Sequence, residues 1–428
     1  MNESHSIASE FETACPEFQT LVGGIDRRNF MKTVMALGGG FVLTGIEGLT
    51  VTAAAVGDAR SDVIITVYMR GGMDGLMAVP VLGDAKLATL RPTQRVKDSA
   101  ALNLDNHFGL HPNLTMLKEL YDAGELAIVH SAGTPIGTRS HFDDQKALEY
   151  AAYDRPGTPD GWQNRYLQAL GTTDVFAGYS SGFQTPVSFR GSAGTTVFEN
   201  LGDVALGNIP MFSNRGAFLT ALKTLHSNGA SNWQVAAQHS LVASERLRTI
   251  TPESTGSYPK DANGNRFAGL AAMMKSGLGI KTANIEFDGN FDVHADAGVN
   301  EGTMANNFKS LSDSIRAFKA DIGDLWKNVT IVTVTEFGRR LEENASRGFD
   351  HGWASAMFVM GGGVKGGKVV TKWPGLSDSR DGDLKVTIDY RDVLAEIMRY
   401  RGGIDSAKIK DILPDFKYQD LGLVRQLS

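Results

Sequence analysis

What the chain lacks narrows its chemistry. The 428 residues contain a single cysteine, Cys15, and it lies in an N-terminal segment that reads as a removable leader. The rest of the chain therefore offers no thiol nucleophile, no disulfide and no thiolate metal ligand. Oxygen and nitrogen are the only strong donors left for a metal. No apolar run is long enough to span a bilayer stably; the leader's own, TVMALGGGFVLTGIEGL from Thr33, is short and rich in glycine. A basic excess is missing too, since 42 Lys and Arg face 48 Asp and Glu for a net charge of -6. Residues 1–55 hold six acids (Glu3, Glu10, Glu12, Glu17, Asp26, Glu47) and three bases (Arg27, Arg28, Lys32), a net of -3, which leaves -3 for the remainder. Such a balance points away from nucleic acid and from polybasic membrane adhesion. Repeats, heptad arrays and low-complexity tracts are absent as well.

The leader is read from three parts in order. DRRNFMK spans Asp26 to Lys32, the mild apolar run follows, and Ala53, Ala54 and Ala55 close it. Paired arginines, a short apolar segment and a small-residue cleavage site predict a twin-arginine signal peptide over residues 1–55, export of the folded chain by the Tat machinery, a mature start near Val56 and a periplasmic or secreted location.

Five runs are apolar on both faces: DVIITVYM from Asp62, ELAIVHS from Glu125, ANIEFDG from Ala283, NVTIVTVTEF from Asn328 and SAMFVMGGG from Ser355. Amphipathic helical spacing separates several of them, with Leu114, Leu117, Leu120 and Tyr121 on one segment and Phe308, Leu311, Ile315, Phe318 and Ile322 on another. This rhythm predicts one α/β domain over residues 56–428, a mainly parallel central sheet covered by helices on both sides. Residues 176–257 are richer in Gly, Ser, Thr and Asn and lack the rhythm, and are expected to form an inserted cap.

An open parallel sheet binds its ligand beyond the carboxyl ends of its strands, so the residues just after each run carry the functional signal. They are Asp74 in RGGMDG; His130, Ser140, His141, Asp143 and Asp144 in HSAGTPIGTRSHFDDQ; Asp292 and His294 in GNFDVHAD; Glu336 in TEFG; and, just before the fifth run, Asp350 and His351. Asp292 and His294, two apart on an extended segment, point to one side and suit a single ion. Asp74 between glycines also fits a plain turn, and His111 and His130 fit hydrogen-bonded structural histidines. Ser140 fits two roles, an N-cap with Asp143 three residues on or a nucleophile at a helix start, where open amides favour a phosphate or sulfate.

RGGMDGL, GLHPNL, RSHFDDQ, GNFDVHAD, TEFGRRLEEN, FDHGW and GGVKGGKVVTKWPGL together resemble the DUF1501 family of twin-arginine-exported proteins, grouped with the alkaline phosphatase and sulfatase superfamily. The resemblance implies two metal positions at strand ends beside a Ser, Thr or modified-Cys nucleophile. It implies Asp74, Ser140 and Glu336 at one position and Asp292, His294 and His351 at the other. TEFG resembles the superfamily's T-x-D-H-G element, but Phe337 stands where that element has histidine and cannot coordinate. A modified-cysteine sulfatase is excluded, because no Cys or Ser sits in a C/S-x-P-x-R setting.

Two function classes follow. One is an exported metal-dependent hydrolase of phosphate or sulfate esters, with a divalent ion such as Zn, or Ca, Mg or Mn, as Lewis acid, Ser140 attacking, and His141 or an acid handling protons. The other is an exported binding or assembly protein that keeps the scaffold without the chemistry.

Overall fold

A computed structural model describes residues 62–153, 157–201, 243, 246–247, 249–250, 256–376 and 382–427. The expected signal peptide and most of the expected cap lie outside them. The five apolar runs form strands β1 (Val63–Tyr68), β4 (Leu126–Gly133), β7 (Thr282–Glu286), β8 (Val329–Val334) and β9 (Ser355–Met360). Shorter strands are β2 (Leu102–Asn103), β3 (Gly109–Leu110), β5 (Gly178–Ser181), β6 (Thr196–Val197), β10 (Lys368–Val370) and β11 (Ile388–Asp389). β2 and β3 pair apart from the rest.

The central sheet runs β10-β4-β9-β8-β1-β7-β5-β6, with β11 also on β4. Its pairings are parallel except at β9, which is antiparallel to both β4 and β8. The expected mainly parallel α/β sheet is therefore present. β5 and β6 fall inside the stretch read from composition as a cap, so its first part belongs to the sheet.

Alternation along β1 builds two cores. Ile65 and Val67 face a cluster with Leu117 and Leu120 of α3 (Thr115–Asp122), Phe267 and Leu270 of α6 (Ala262–Lys275), and Phe308, Leu311, Ile315 and Phe318 of α7 (Thr303–Ile322). Ile64 and Tyr68 face a second cluster with Leu148 of α4 (His141–Tyr150), Tyr166 of α5 (Trp162–Leu170), Val393, Leu394 and Ile397 of α8 (Tyr390–Tyr400), and Ile412 of α9 (Ile409–Ile412). Two short helices, α1 (Gly75–Ala78) and α2 (Ala85–Leu90), follow β1. Each large apolar side chain sequestered on these faces stabilises the fold by about 1.5–3 kcal/mol. No described helix is long and apolar enough to cross a membrane.

Because β9 runs backwards, the residues that precede it lie at the edge where the parallel strands end. The order reversal thus brings Asp350 and His351 beside the residues that follow β1, β4, β7 and β8.

Candidate metal centre

Three imidazoles and one carboxylate meet at that edge. His351 Nε2 lies 3.1 Å from His141 Nε2 and 3.2 Å from His294 Nε2. Asp292 Oδ1 lies 3.1 Å from His351 Nε2 and 2.9 Å from His294 Nε2, and its Oδ2 lies 3.3 Å from His141 Nε2. The donors of His141, Asp292 and His351 all fall within 4.8 Å of one another, and His294 touches two of the three.

The far nitrogens decide what these rings present to each other. His141 Nδ1 donates to Glu336 Oε1 at 2.7 Å, His351 Nδ1 to the Arg139 carbonyl at 2.8 Å, and His294 Nδ1 to Asp350 Oδ1 at 3.1 Å. A carbonyl or an ionised carboxylate only accepts, so each Nδ1 carries a proton and, in its neutral form, each ring turns an Nε2 lone pair inward. Lone pairs about 3 Å apart beside a carboxylate repel unless a proton or a cation sits among them. The spacing fits a cation: tetrahedral donors at about 2.0–2.1 Å from zinc stand roughly 3.3 Å from each other. Imidazoles oriented by an acceptor on the far nitrogen are the usual second shell of a metal site.

The structural histidines show the opposite arrangement. Buried His111 donates from Nε2 to Val299 O and accepts at Nδ1 from Asn113 N, and buried His130 donates to Val79 O and accepts from Ser131 N. Burial pushes both down to about 4, so they stay neutral at pH 7, and with both ring nitrogens hydrogen-bonded neither presents a free lone pair.

Charge around the cluster is set by named neighbours. The Glu336 hydrogen bond is the largest of the causes that raise His141. Burial works to raise Glu336, but the His141, Gln145 and Gly71 donors outweigh it and hold the carboxyl below its ordinary range. Burial likewise opposes ionisation of Asp292, and the Arg339 guanidinium outweighs it, holding the carboxyl far below the usual range. Hydrogen bonds from Asn344 and then His294 lower Asp350.

Arg339 frames the cluster and carried no signal in the sequence beyond its place in TEFGRRL. Fully buried, it donates to Gly72 O at 2.8 Å, Phe291 O at 3.0 Å, Phe349 O at 3.0 Å and Asp292 Oδ1 at 2.7 Å, and also to Gly71 O. One guanidinium thereby ties together the loops after β1 and β7 and the loop before β9. Gly71, at φ +105, permits this approach, since a Cβ there would stand 2.5 Å from Asp292 N. Phe337 forms a wall, with its ring centroid 4.7 Å from that of His141 and 4.8 Å from that of His351.

The sequence-predicted residues divide. Asp292, His294, His351 and His141 come together. Glu336 stands behind His141, with Oε1 already taking Gly71 N, His141 Nδ1 and Gln145 Nε2. His141 was expected to handle protons, yet Nδ1 is committed to Glu336 and Nε2 points into the cluster. Asp74 is engaged elsewhere: it caps α1 through Leu76 N and Met77 N and pairs with buried Arg91 at 2.6 Å. Ser140 occupies the N-cap position of α4 without a side-chain capping bond; Asp144 instead ties the preceding loop, accepting from Thr138 N, Thr138 Oγ1 and Arg139 N.

The fold and cluster describe an α/β protein with a nitrogen- and oxygen-rich candidate metal site at the carboxyl edge of its sheet. Residues 211–410, just under half of the chain, match the family described as "Protein of unknown function (DUF1501)". No curated protein matches the chain. Among solved structures it is similar to the lipoteichoic acid synthase LtaP from Listeria monocytogenes, at 10% identity over 83% of this chain and 79% of that one, with a TM-score of 0.33. It is also similar to the PsFucS1 sulfatase from Pseudoalteromonas sp., at 10% identity over 86% of this chain and 74% of that one, with a TM-score of 0.36. Likenesses this distant carry no functional weight, and the reading below rests on the chain's own residues.

Proposed function

We propose that the chain is an exported hydrolase of phosphate or sulfate esters that uses one divalent ion. The observation that carries the reading is the convergence of three imidazole Nε2 atoms and Asp292, each imidazole held by an acceptor on its far nitrogen. One ion rather than two is proposed because Arg91 already neutralises Asp74. Mixed imidazole and carboxylate donors suit zinc or a similar first-row ion such as manganese better than calcium or magnesium.

Bound there, the ion supplies Lewis-acid polarisation of a phosphoryl or sulfuryl oxygen. The protein's own part is positioning: Glu336, Arg139 and Asp350 fix the rings, Arg339 fixes Asp292, and the helix start at Ser140 offers open amides to an anion. Ser140 Oγ is the proposed nucleophile. Its bond to phosphorus or sulfur forms as the ester oxygen departs, the hydroxyl proton passes to solvent or a nearby carboxylate, the leaving alkoxide takes up a proton, and water then releases the serine. Export rests on the twin-arginine leader, and the Tat machinery is its proposed partner.

Elemental analysis of protein recovered after export tests the site, and a screen of aryl phosphates, phosphodiesters and aryl sulfates with added Zn, Mn, Mg or Ca tests the chemistry. Ser140→Gly costs only a few tenths of a kcal/mol as an N-cap and should abolish turnover by several orders of magnitude. Less than about a tenth of an equivalent of divalent ion after mild purification refutes the site, and turnover that survives Ser140→Gly removes the nucleophile. Phe337, packed on two of the rings where the superfamily element has a histidine, favours a second reading as a metal-binding protein without turnover. A fully metallated chain inert to every ester would support it.

A further inference from the structure

Building on the metal reading above, we infer that His294 is a displaceable ligand that closes the ion's coordination at rest and yields its place to an anionic ester. The four donors are not held alike. His141 is fixed by Glu336, whose side chain is fully buried. Asp292 is fixed by Arg339, also fully buried. His351 is fixed by a backbone carbonyl, that of Arg139, in a loop tied down by Asp144. His294 alone hangs on an exposed side chain, Asp350, at 3.1 Å. The His294 side chain is 47% exposed against 23% for His141 and 25% for His351. His141, Asp292 and His351 form the mutually close set, and His294 reaches it from the solvent side through Asp292 and His351.

Only the His294 side chain has to move. Its backbone is pinned, because Asn344 Nδ2 donates to His294 O at 2.9 Å and Gly348 packs so close that a Cβ would lie 2.1 Å from the His294 carbonyl carbon. Rotation about the side-chain bonds, with loss of one exposed hydrogen bond to Asp350, opens a position without disturbing the other donors. A site closed by four protein ligands is of the structural kind, whereas a catalytic one keeps a place for substrate or water. Losing the least anchored donor converts the first into the second.

The test compares wild type, His294→Ala and His351→Ala, each loaded with Co(II) and titrated with inorganic phosphate while metal content, visible absorption and melting are followed. His294→Ala should keep close to one equivalent of ion under conditions in which His351→Ala keeps less than about a tenth. Phosphate should perturb its Co(II) spectrum at concentrations at least about tenfold lower than in wild type. Loss of the ion from His294→Ala as complete as from His351→Ala would make His294 an integral ligand and overturn the inference. A Co(II) spectrum and phosphate titration unchanged by His294→Ala would show that His294 never occupies the position, which also overturns it. Wild type that binds no ion refutes the metal reading itself, an outcome distinct from both.

Discussion

Glu336→Gln probes the link between the buried carboxylate at the end of β8 and the donor strength of His141. Glu336 Oε1 accepts from His141 Nδ1 at 2.7 Å, Gly71 N at 2.8 Å and Gln145 Nε2 at 2.9 Å, while Oε2 meets Thr335 Oγ1 at 3.3 Å. Glutamine has the same shape, and its amide oxygen in the Oε1 place keeps all three donors, with the NH2 group facing the Thr335 hydroxyl oxygen. The fold should survive with little change in melting temperature. What disappears is a negative charge on the far side of the ring, which orients the imidazole and makes Nε2 more basic. Loss of such an outer partner commonly lowers metal affinity 10–100-fold, or about 1.4–2.7 kcal/mol. The upper part of that range is expected here, because the carboxylate is fully buried and solvent screens it little. Competition with a chelator of known affinity at near-neutral pH measures the change. A dissociation constant within about twofold of wild type, in a variant that melts normally, would refute the claim that Glu336 acts through His141.

Asp392 is pushed up to about 6, chiefly by burial. A raised acid makes folding favour the protonated form, so its contribution is greatest below the unfolded value near 4 and is lost as pH rises through about 6. At about 1.4 kcal/mol per tenfold change in proton affinity the loss is on the order of 3 kcal/mol; Asp392→Asn, which keeps an acceptor for Gln419 N, should remove it in urea unfolding between pH 4 and pH 7, and an unchanged slope would count against the assignment. Arg91→Ala strands buried Asp74 and should cost about 3–5 kcal/mol while metal content stays at one equivalent; near-wild-type stability would mean that the pair is not structural. Replacing Arg27 and Arg28 together by lysine should leave precursor in the cytoplasm, and normal export of that variant would refute the twin-arginine reading.

Local pattern was enough for five strands of the sheet. Runs such as ITVYM and TIVTV are apolar on both faces, a property that only a strand buried between two layers of helix needs, and the rule that ligands gather beyond strand ends then pointed to Asp292, His294, Glu336 and His351. The same pattern could not separate Asp74 from Asp292, since both are acids in glycine-bearing turns. Their fates depend on which arginine folds against them: Arg91 takes Asp74 into a buried pair, while Arg339 holds Asp292 with an oxygen turned toward the rings. Nor could sequence tell His111 and His130 from His141, His294 and His351. In the first two, Nε2 is spent on a backbone carbonyl; in the other three, Nδ1 is tied by an acceptor and Nε2 is left facing inward. All five of those ring contacts join residues more than 50 apart in the chain, as do the Arg339 contacts with Gly71 and Gly72. Residue types and strand ends were set by short stretches of sequence, whereas tautomer, pairing and convergence were decided by long-range packing, above all by the reversed direction of β9, which starts at the edge where the parallel strands finish and so leaves His351, just before it, at that edge.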